Sequence, residues 1–394
     1  VPAGKYGIEQ FVILRSQFGT NGSRLVYFLA VIFLTMGWLA VLAMMFGRSI
    51  DGMTAMVSGG EASPTGIKMV IAALGAICLT WFIVARGPTS IKVFNMIVSP
   101  ALVVLMVVML VLILSQHALG DLLALPAIDP PFKDKHLNFI IAIEVNMAAG
   151  FSWWPYIGNL ARLTKNERTA FWPNIVGIFG AAVLGEIVGL FGAVALANSD
   201  PTIWMTQVGG VGIGVIALGF VAFANITSMA NILYTSIVGL RQVGTEGIRQ
   251  IRWEILLALF CVIPVLLVLF YPGMYDGFFI FLVWTSALNS ALAGIGIADY
   301  FFLRRQRLDL AALHGPQANV TYRFVGGFNP IGLFALAVGF LVYIWVFNPQ
   351  TLANAAAFKY LTASIPSCFA AGLVHLVLTK FVGVANGWGA YPKR

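Results

Sequence analysis

Long apolar runs separated by short polar segments follow one another along almost the whole chain of 394 residues. A helix that crosses the hydrocarbon core of a bilayer needs roughly 17–25 predominantly apolar residues. Ten runs meet that requirement: residues 25–46, 67–84, 93–114, 139–158, 171–197, 208–240, 255–271, 278–303, 331–347 and 361–378. The pattern predicts an all-α polytopic membrane protein in which residues 1–394 form one transmembrane domain.

Basic residues lie mainly in alternate connecting segments, which predicts the orientation of the chain. If residues 1–24 are a cytoplasmic lead-in, five of the 23 Lys and Arg lie outside and the other 18 (23 − 5) lie in cytoplasmic segments. The five are Arg48, Lys68, Lys133, Lys135 and Lys359. This asymmetry is the positive-inside pattern. We expect a multi-pass protein of the cell membrane that starts in the cytoplasm and has a further cytoplasmic loop at residues 304–330.

Composition narrows the class of protein. The chain is 60% hydrophobic and 10% charged, with a mean hydropathy of +0.91. Ordinary soluble domains do not have this composition. The net charge of +8 is explained by cytoplasmic loops that face anionic lipid, so nucleic acid is not an expected partner. The bilayer is the expected partner, and a monomer is sufficient for this architecture.

Three predicted spans contain polar residues or helix breakers. The fourth contains Gly150 and Pro155, the sixth contains polar residues at 225–231, and the eighth contains Asn289 and Ser290. Irregular backbone at membrane depth is tolerated only inside the protein or along a cavity. Discontinuous helices with polar centres indicate the substrate and ion sites of a transporter. The alternative is that small polar residues serve close helix packing.

An intramembrane enzyme is the competing class, and the sequence does not favour it. The four His are scattered, His117 and His375 show no clustering, and no HExxH or GxSxG motif occurs. We therefore expect no enzyme, no catalytic residue and no cofactor. A transporter would need only a coupling ion, Na⁺ or H⁺.

Four segments resemble the nucleobase–cation symporter family one, the permeases for purines, cytosine, allantoin and hydantoin, and the cytosine-permease branch in particular. SIKVFNMIVSPALVVLMVVML at 90–110 is similar to the family's fifth helix, and NLARLTKNE at 159–167 to the loop after the sixth. TSMANILYTS at 227–236 resembles the polar centre of the eighth helix. ALAGIGIADYFFLRRQRLDL at 291–310 resembles the end of the tenth helix and its basic loop, and is the most specific of the four.

The resemblance implies a leucine-transporter-like fold with two inverted five-helix repeats and two accessory helices. The ten predicted spans then correspond to helices three to twelve, and residues 331–380 hold the two accessory helices. The resemblance also implies that the first two helices of the family are missing from this sequence. We expect a fragment of a longer protein that is inert for coupled transport by itself.

Aromatic residues are the first candidates for binding a flat heterocycle. The resemblance implies that Trp38 stacks on the substrate, and that Gly150 stands where the sixth helix unwinds. Phe151 and Trp153 compete as the second aromatic, because the alignment is offset by one residue there. The hydantoin branch has a glutamine four residues after the tryptophan, whereas this chain has Leu42, which weakens a hydantoin assignment.

Amide and carboxylate side chains are the second group of candidates. Asn231 offers an acceptor and donors for the edge of a nucleobase, and its family counterpart touches substrate. Asn289 is placed similarly, with interhelical hydrogen bonding as the alternative for both. Glu144 lies inside a span, where a carboxylate is functional by default, and is expected to line a vestibule or to bind substrate N–H groups.

Two sets of residues predict opposite coupling ions. Ala224, Thr227 and Ser228 occupy one helical face at i, i+3 and i+4, and their carbonyl and hydroxyl oxygens suit Na⁺, as the resemblance also implies. The alternative is that the hydroxyls bond to backbone carbonyls of their own helix. Glu186 is instead a candidate proton site, or a protonated packing residue.

The predicted function is therefore secondary active import of a nucleobase or related heterocycle, coupled to Na⁺ or H⁺ by alternating access. A permease of the same fold for amino acids or quaternary amines stays open, since Trp38, Trp153 and Glu144 do not exclude an amine.

Overall fold

The computed structural model describes residues 1–314 and 321–391, which form helices joined by short segments, with no β-sheet among them. Eight helices in this part of the chain are long and apolar enough to cross a membrane. They are Thr20–Ser58 (α1), Ile67–Ala85 (α2), Pro88–Gln116 (α3), Glu167–Leu196 (α6), Pro201–Val243 (α7), Trp253–Phe270 (α8), Pro272–Leu303 (α9) and Ser364–Gly383 (α11).

The two remaining predicted spans are also helical. The fourth consists of two helices, Lys135–Ser152 (α4) and Trp154–Ala161 (α5). The ninth is the shorter apolar helix Pro330–Val346 (α10). The predicted all-α membrane architecture is therefore confirmed.

The polar lead-in before α1 packs into the protein. Residues 1–19 form short helices, and Phe11, Val12 and Phe18 on them are buried. Helix α1 then starts at Thr20, before the predicted position 25, and continues to Ser58. The apolar run predicted the centre of α1. The ends of α1 are more polar and are held by contacts with other parts of the chain.

The interruptions differ from those predicted in two of the three spans. Helix α7 breaks at Gly210, where φ is 62° and ψ is −171°, and not at residues 225–231. Helix α9 continues without a break through Asn289 and Ser290. Only the fourth span divides near the predicted place, between Ser152 and Trp154. A helix can stay continuous through polar residues when their side chains find hydrogen-bond partners on the same helix or on a neighbouring one.

Small residues let α9 and α11 approach closely. Gly294 lies against the backbone of Cys368, and Gly372 lies against the backbone of Gly294, so a Cβ at either glycine would clash. Two hydroxyl pairs reinforce the contact: Ser286 and Ser364, 2.7 Å apart, and Ser290 and Ser367, 3.0 Å apart. Such small-residue contacts with interhelical hydrogen bonds are typical of membrane helices.

A buried charge cluster joins the end of α9 to both ends of the chain. Asp299 Oδ2 accepts a hydrogen bond from Arg304 Nε at 2.8 Å, and both side chains are almost fully buried. Asp299 Oδ1 accepts from the Tyr391 hydroxyl at 2.8 Å and lies 3.5 Å from His375 Nε2. Arg304 also donates to the Ser16 carbonyl at 2.9 Å. The expectation that His375 shows no clustering is therefore wrong, because its partners are distant in sequence.

The opposite end of the bundle has a second charge cluster. Arg48, near the end of α1, donates to Asp200 at 3.2 Å and to Asp276 at 2.7 Å. Its guanidinium also lies over the ring of Tyr275, 4.4 Å from the centroid. One cation therefore connects α1 to the segment before α7 and to the start of α9.

The predicted loop at 304–330 contains a short helix, Leu310–His314. Residues 315–320 of that loop lie outside the described residues. Asn329 closes the loop against the lead-in, because its Nδ2 donates to the Gln17 carbonyl at 2.6 Å.

We predict that Asp299→Asn destabilises the protein by about 3–5 kcal/mol, because the buried Arg304 charge would lose its counter-charge. Thermal unfolding of the purified protein in detergent measures this. Asp134→Asn is the control, since Asp134 forms an exposed ion pair with Lys359 and its loss should change the midpoint little. Equal shifts for the two variants would contradict the assignment of Asp299 as a structural centre.

Candidate functional site

Trp38 lies in the middle of α1 beneath the start of α9. The rings of Phe278 and Phe281 contact it edge-to-face, at centroid distances of 5.3 Å and 5.6 Å. Gly37 permits this approach, because a Cβ there would clash with the Phe281 ring. The buried Trp38 indole N–H has no hydrogen-bond partner among the described residues. A buried donor without a partner is costly, so this N–H is available for a ligand acceptor.

Trp153 is linked to the Trp38 helix through Tyr156. It stands between α4 and α5 and contacts Tyr156 edge-to-face at 6.2 Å. The hydroxyls of Tyr156 and Thr35 are 2.7 Å apart, and Thr35 lies one turn from Trp38 on α1. Trp38 and Trp153 also pack against one hydrophobic core cluster. The contacts therefore favour Trp153 as the second aromatic on the Trp38 side.

Phe151 has different surroundings. It lines an apolar groove of about 460 Å³ between α4, α9 and α11, together with Met147, Ile297 and Phe369. Gly150 is exposed at the end of α4, and its carbonyl accepts the Trp153 N–H at 3.2 Å. The backbone at this point is therefore only locally irregular, and Phe151 and Trp153 diverge from it.

Three predicted residues share the half-buried face of α7. Ala224, Ser228 and Asn231 are each half-buried at i, i+4 and i+7, whereas the intervening residues are buried. Thr227 is buried, and its hydroxyl donates to the Ala224 carbonyl of its own helix at 2.7 Å, which is the bonding that the alternative to a sodium role describes. Ser228 has no side-chain hydrogen bond within residues 1–314 and 321–391. This part of α7 therefore holds the Ala224 carbonyl and the Thr227 hydroxyl, which bond to each other, and the Ser228 hydroxyl, which is unpaired among the described residues.

Asn231 has a partner that sequence reasoning missed. Asn95 on α3 donates from Nδ2 to Asn231 Oδ1 at 3.4 Å, so the two amides join α3 to α7. Asn95 lies inside the segment at 90–110 that carries the family resemblance, and it is the only amide between Lys92 and Leu114. An isolated amide in an apolar span was the available signal.

Asn289 is buried within α9 at 1% exposure, and its Oδ1 has no partner in the described part of the chain. Its neighbour Leu288 packs against the core cluster that also holds Trp38 and Trp153. Asn289 is therefore a buried residue with an unpaired acceptor, and the structure shows no direct contact between it and Trp38 or Trp153 among the described residues.

Glu144 is fully committed to contacts within the protein. Its Oε2 accepts from the backbone N–H groups of Ala363 and Ser364, at 2.8 Å and 3.0 Å. Its Oε1 accepts from the Tyr343 hydroxyl at 2.7 Å and from the Ser364 hydroxyl at 2.5 Å. These four donors hold α4 to α10 and to the start of α11. They favour a structural role over the predicted vestibule or substrate role.

Glu186 is the other carboxylate of the predicted site. It lies on the exposed side of α6, with no side-chain hydrogen bond or ion pair in residues 1–314 and 321–391. The structure does not bring it to Trp38 or to the α7 face.

Aromatic rings, unpaired amide atoms and hydroxyls inside a bundle of apolar helices are typical of a membrane transport protein. The family with the description "Permease for cytosine/purines, uracil, thiamine, allantoin" matches residues 2–363 of the sequence. The chain belongs to this family of permeases, which are not enzymes.

Two curated proteins are similar to the chain. A hydantoin permease of Microbacterium maritypicum is 27% identical over 373 residues, covering 86% of this chain and 70% of the relative. The purine-uracil permease NCS1 of Arabidopsis thaliana is 23% identical over 426 residues, covering 97% of this chain and 66% of the relative. The chain therefore spans about two thirds of the length of these proteins.

Two solved structures have the same fold. The inward-facing conformation of Mhp1 gives a TM-score of 0.75 at 22% identity, covering 99% of this chain and 80% of Mhp1. Mhp1, described as a nucleobase-cation-symport-1 family transporter and solved closed with bromovinylhydantoin bound, gives 0.73 at 22% identity, covering 98% and 81%. This structural similarity confirms the predicted leucine-transporter-like fold.

We predict that Glu144→Gln lowers stability by about 2 kcal/mol, because an amide replaces a carboxylate that accepts four hydrogen bonds. The affinity for a heterocyclic ligand should stay unchanged in the same variant. Thermal unfolding with and without ligand measures both quantities. A loss of ligand affinity without a loss of stability would contradict the structural role and support the predicted substrate-binding role of Glu144.

Proposed function

We propose that this protein imports a nucleobase or a related small heterocycle, such as a cytosine, purine, allantoin or hydantoin, by secondary active transport across the cell membrane. The start of the chain is cytoplasmic, and a cation gradient drives alternating access about a site at membrane depth. The observation that carries the proposal is Trp38, a central tryptophan with an unpartnered N–H, in a chain whose family transports flat heterocycles.

The substrate ring stacks on Trp38 and meets Trp153 across the site. Tyr156 supports this arrangement, because its contact with Thr35 joins the Trp153 segment to the Trp38 helix. Asn231 and Asn289 supply amide groups for the polar edge of the ring, and Gly150 leaves the backbone near Trp153 uncovered. Phe151 has the weaker support of the two competing aromatics, since it faces the groove toward α11.

The coupling ion is Na⁺, bound by the Ala224 carbonyl and by the hydroxyls of Thr227 and Ser228. Neutral oxygens are suitable ligands for a hard cation. The Thr227 hydroxyl donates to the Ala224 carbonyl at 2.7 Å, so the two oxygens are neighbours and an ion would replace that hydrogen bond. Ser228 adds a hydroxyl that is unpaired in the described residues, from the half-buried face that also carries Ala224. The second candidate is H⁺ carried by Glu186, which the intramembrane position of an unpaired carboxylate favours.

We predict that Trp38→Leu weakens heterocycle binding about 5- to 150-fold, the loss expected for removing one stacked aromatic of roughly 1–3 kcal/mol. The measurement is a thermal-shift titration of the full-length protein with uracil, cytosine, hypoxanthine, allantoin and hydantoin. Trp345→Leu is the control, because Trp345 is 72% exposed on α10. Binding of none of these compounds by folded wild-type protein would reject the proposed substrate class.

The coupling ion is tested with Ser228→Ala and Glu186→Gln variants of the full-length protein, in liposomes loaded to impose either a Na⁺ or a pH gradient. We expect Ser228→Ala to abolish Na⁺-driven uptake and Glu186→Gln to preserve it, because only the first removes a cation ligand. Uptake driven by pH that Glu186→Gln abolishes would instead assign coupling to H⁺.

A further inference from the structure

Asn95 and Asn231 form an isolated amide pair between two apolar helices. Only one hydrogen bond joins them, from Asn95 Nδ2 to Asn231 Oδ1 at 3.4 Å. The Asn95 side chain has no other partner within residues 1–314 and 321–391, and its buried Oδ1 is unpaired. A pair that served helix packing alone would have no use for a buried acceptor without a donor, which is costly in a protein interior.

The pair leaves one acceptor and one donor for a ligand. The acceptor is Asn95 Oδ1, and the donor is Asn231 Nδ2, which makes no hydrogen bond in the described residues and is not among their buried unpaired atoms. Amide oxygen and nitrogen are assigned from the hydrogen-bond network. Turning both amides around keeps the mutual bond and still leaves one donor and one acceptor, so the conclusion does not depend on that assignment.

Asn231 gives this pair its location. It continues the half-buried face of α7 that carries Ala224 and Ser228, one turn beyond Ser228. Asn95 approaches that face from α3, and the adjacent Phe94 ring contacts Phe223 at 6.1 Å, which fixes the register of the two helices. Asn95 is therefore held beside a face that already carries three of the predicted site residues.

We propose that Asn95 is a substrate-binding residue, and that Asn95 and Asn231 together bind the lactam or amidine edge of the transported heterocycle. A lactam offers an N–H and a carbonyl side by side, and an amidine offers an amino group and a ring nitrogen. Either edge pairs with one acceptor and one donor. This inference rests on the proposed function, and it adds α3 to the helices that contact substrate.

The test combines a protein variant with a ligand variant. Uracil, cytosine and hydantoin are titrated against full-length wild-type protein and Asn95→Leu, each with and without a methyl group on a ring nitrogen or exocyclic amine. Asn174→Leu is the matched control, because the Asn174 amide bonds to its own helix at the Ala170 carbonyl, 2.6 Å away. Asn95→Ala serves as a second variant if Asn95→Leu does not fold, judged by its unfolding midpoint without ligand.

We expect Asn95→Leu to weaken binding of the unmethylated compound about tenfold, the effect of one lost hydrogen bond at a buried site. Methylation of the ligand at the recognised position should weaken its binding to wild type by a similar factor. The same methylation should hardly change binding to Asn95→Leu, because the variant has already lost the hydrogen bond that the methyl group blocks. An equal methylation penalty in both proteins would overturn the inference and leave Asn95 as a packing residue. Failure of wild type to bind any heterocycle would instead overturn the proposed function, and this inference with it.

Discussion

Water is excluded from the bilayer core, so a polar group at that depth must find its partner inside the protein. Two carboxylates show how much of the bundle depends on this constraint. Glu144 accepts from Tyr343 on α10 and from three donors at Ala363 and Ser364, where α11 begins, and Asp299 lies 3.5 Å from His375 in the second half of α11. Helix α11 therefore contacts a carboxylate of another helix at its start and again in its second half. Between these points, Gly294 and Gly372 allow backbone contact with α9.

The positions of the helices could be predicted from the sequence, whereas their irregularities could not. Apolar runs of membrane-spanning length identify a helix whatever its neighbours are, and each of the ten runs is helical in the structure. The break at Gly210 depends on a positive φ that glycine tolerates, and the Gly209-Gly210 pair was the available signal, which the polar residues at 225–231 outweighed in the prediction. The uninterrupted α9 at Ser290 depends on a hydroxyl of another helix, Ser367, 77 residues away.

The candidate site divides in the same way. Trp38 and the α7 residues were found because their local motifs resemble those of a family, and local motifs are visible in one sequence. Asn95 and Tyr156 were missed because their importance lies in contacts with Asn231 and Thr35, at separations of 136 and 121 residues. Glu144 was predicted from the rarity of carboxylates in membrane spans. That rule identifies an important residue without distinguishing a structural carboxylate from a substrate ligand.

Arg48 forms two ion pairs that differ in their exposure to solvent. Asp200 is 15% exposed and Asp276 is 64% exposed, although both bind the same buried guanidinium. Dissolved salt screens an exposed ion pair far more than a buried one. Rising ionic strength therefore loosens the ion pair with Asp276 first, while Asp200 keeps Arg48 in place. The start of α9 then keeps the contact between the Tyr275 ring and the Arg48 guanidinium, together with the contacts of Phe278 and Phe281 with Trp38. The salt-sensitive part of this attachment is therefore a single exposed carboxylate, and the contacts nearest to Trp38 are those that salt screens least.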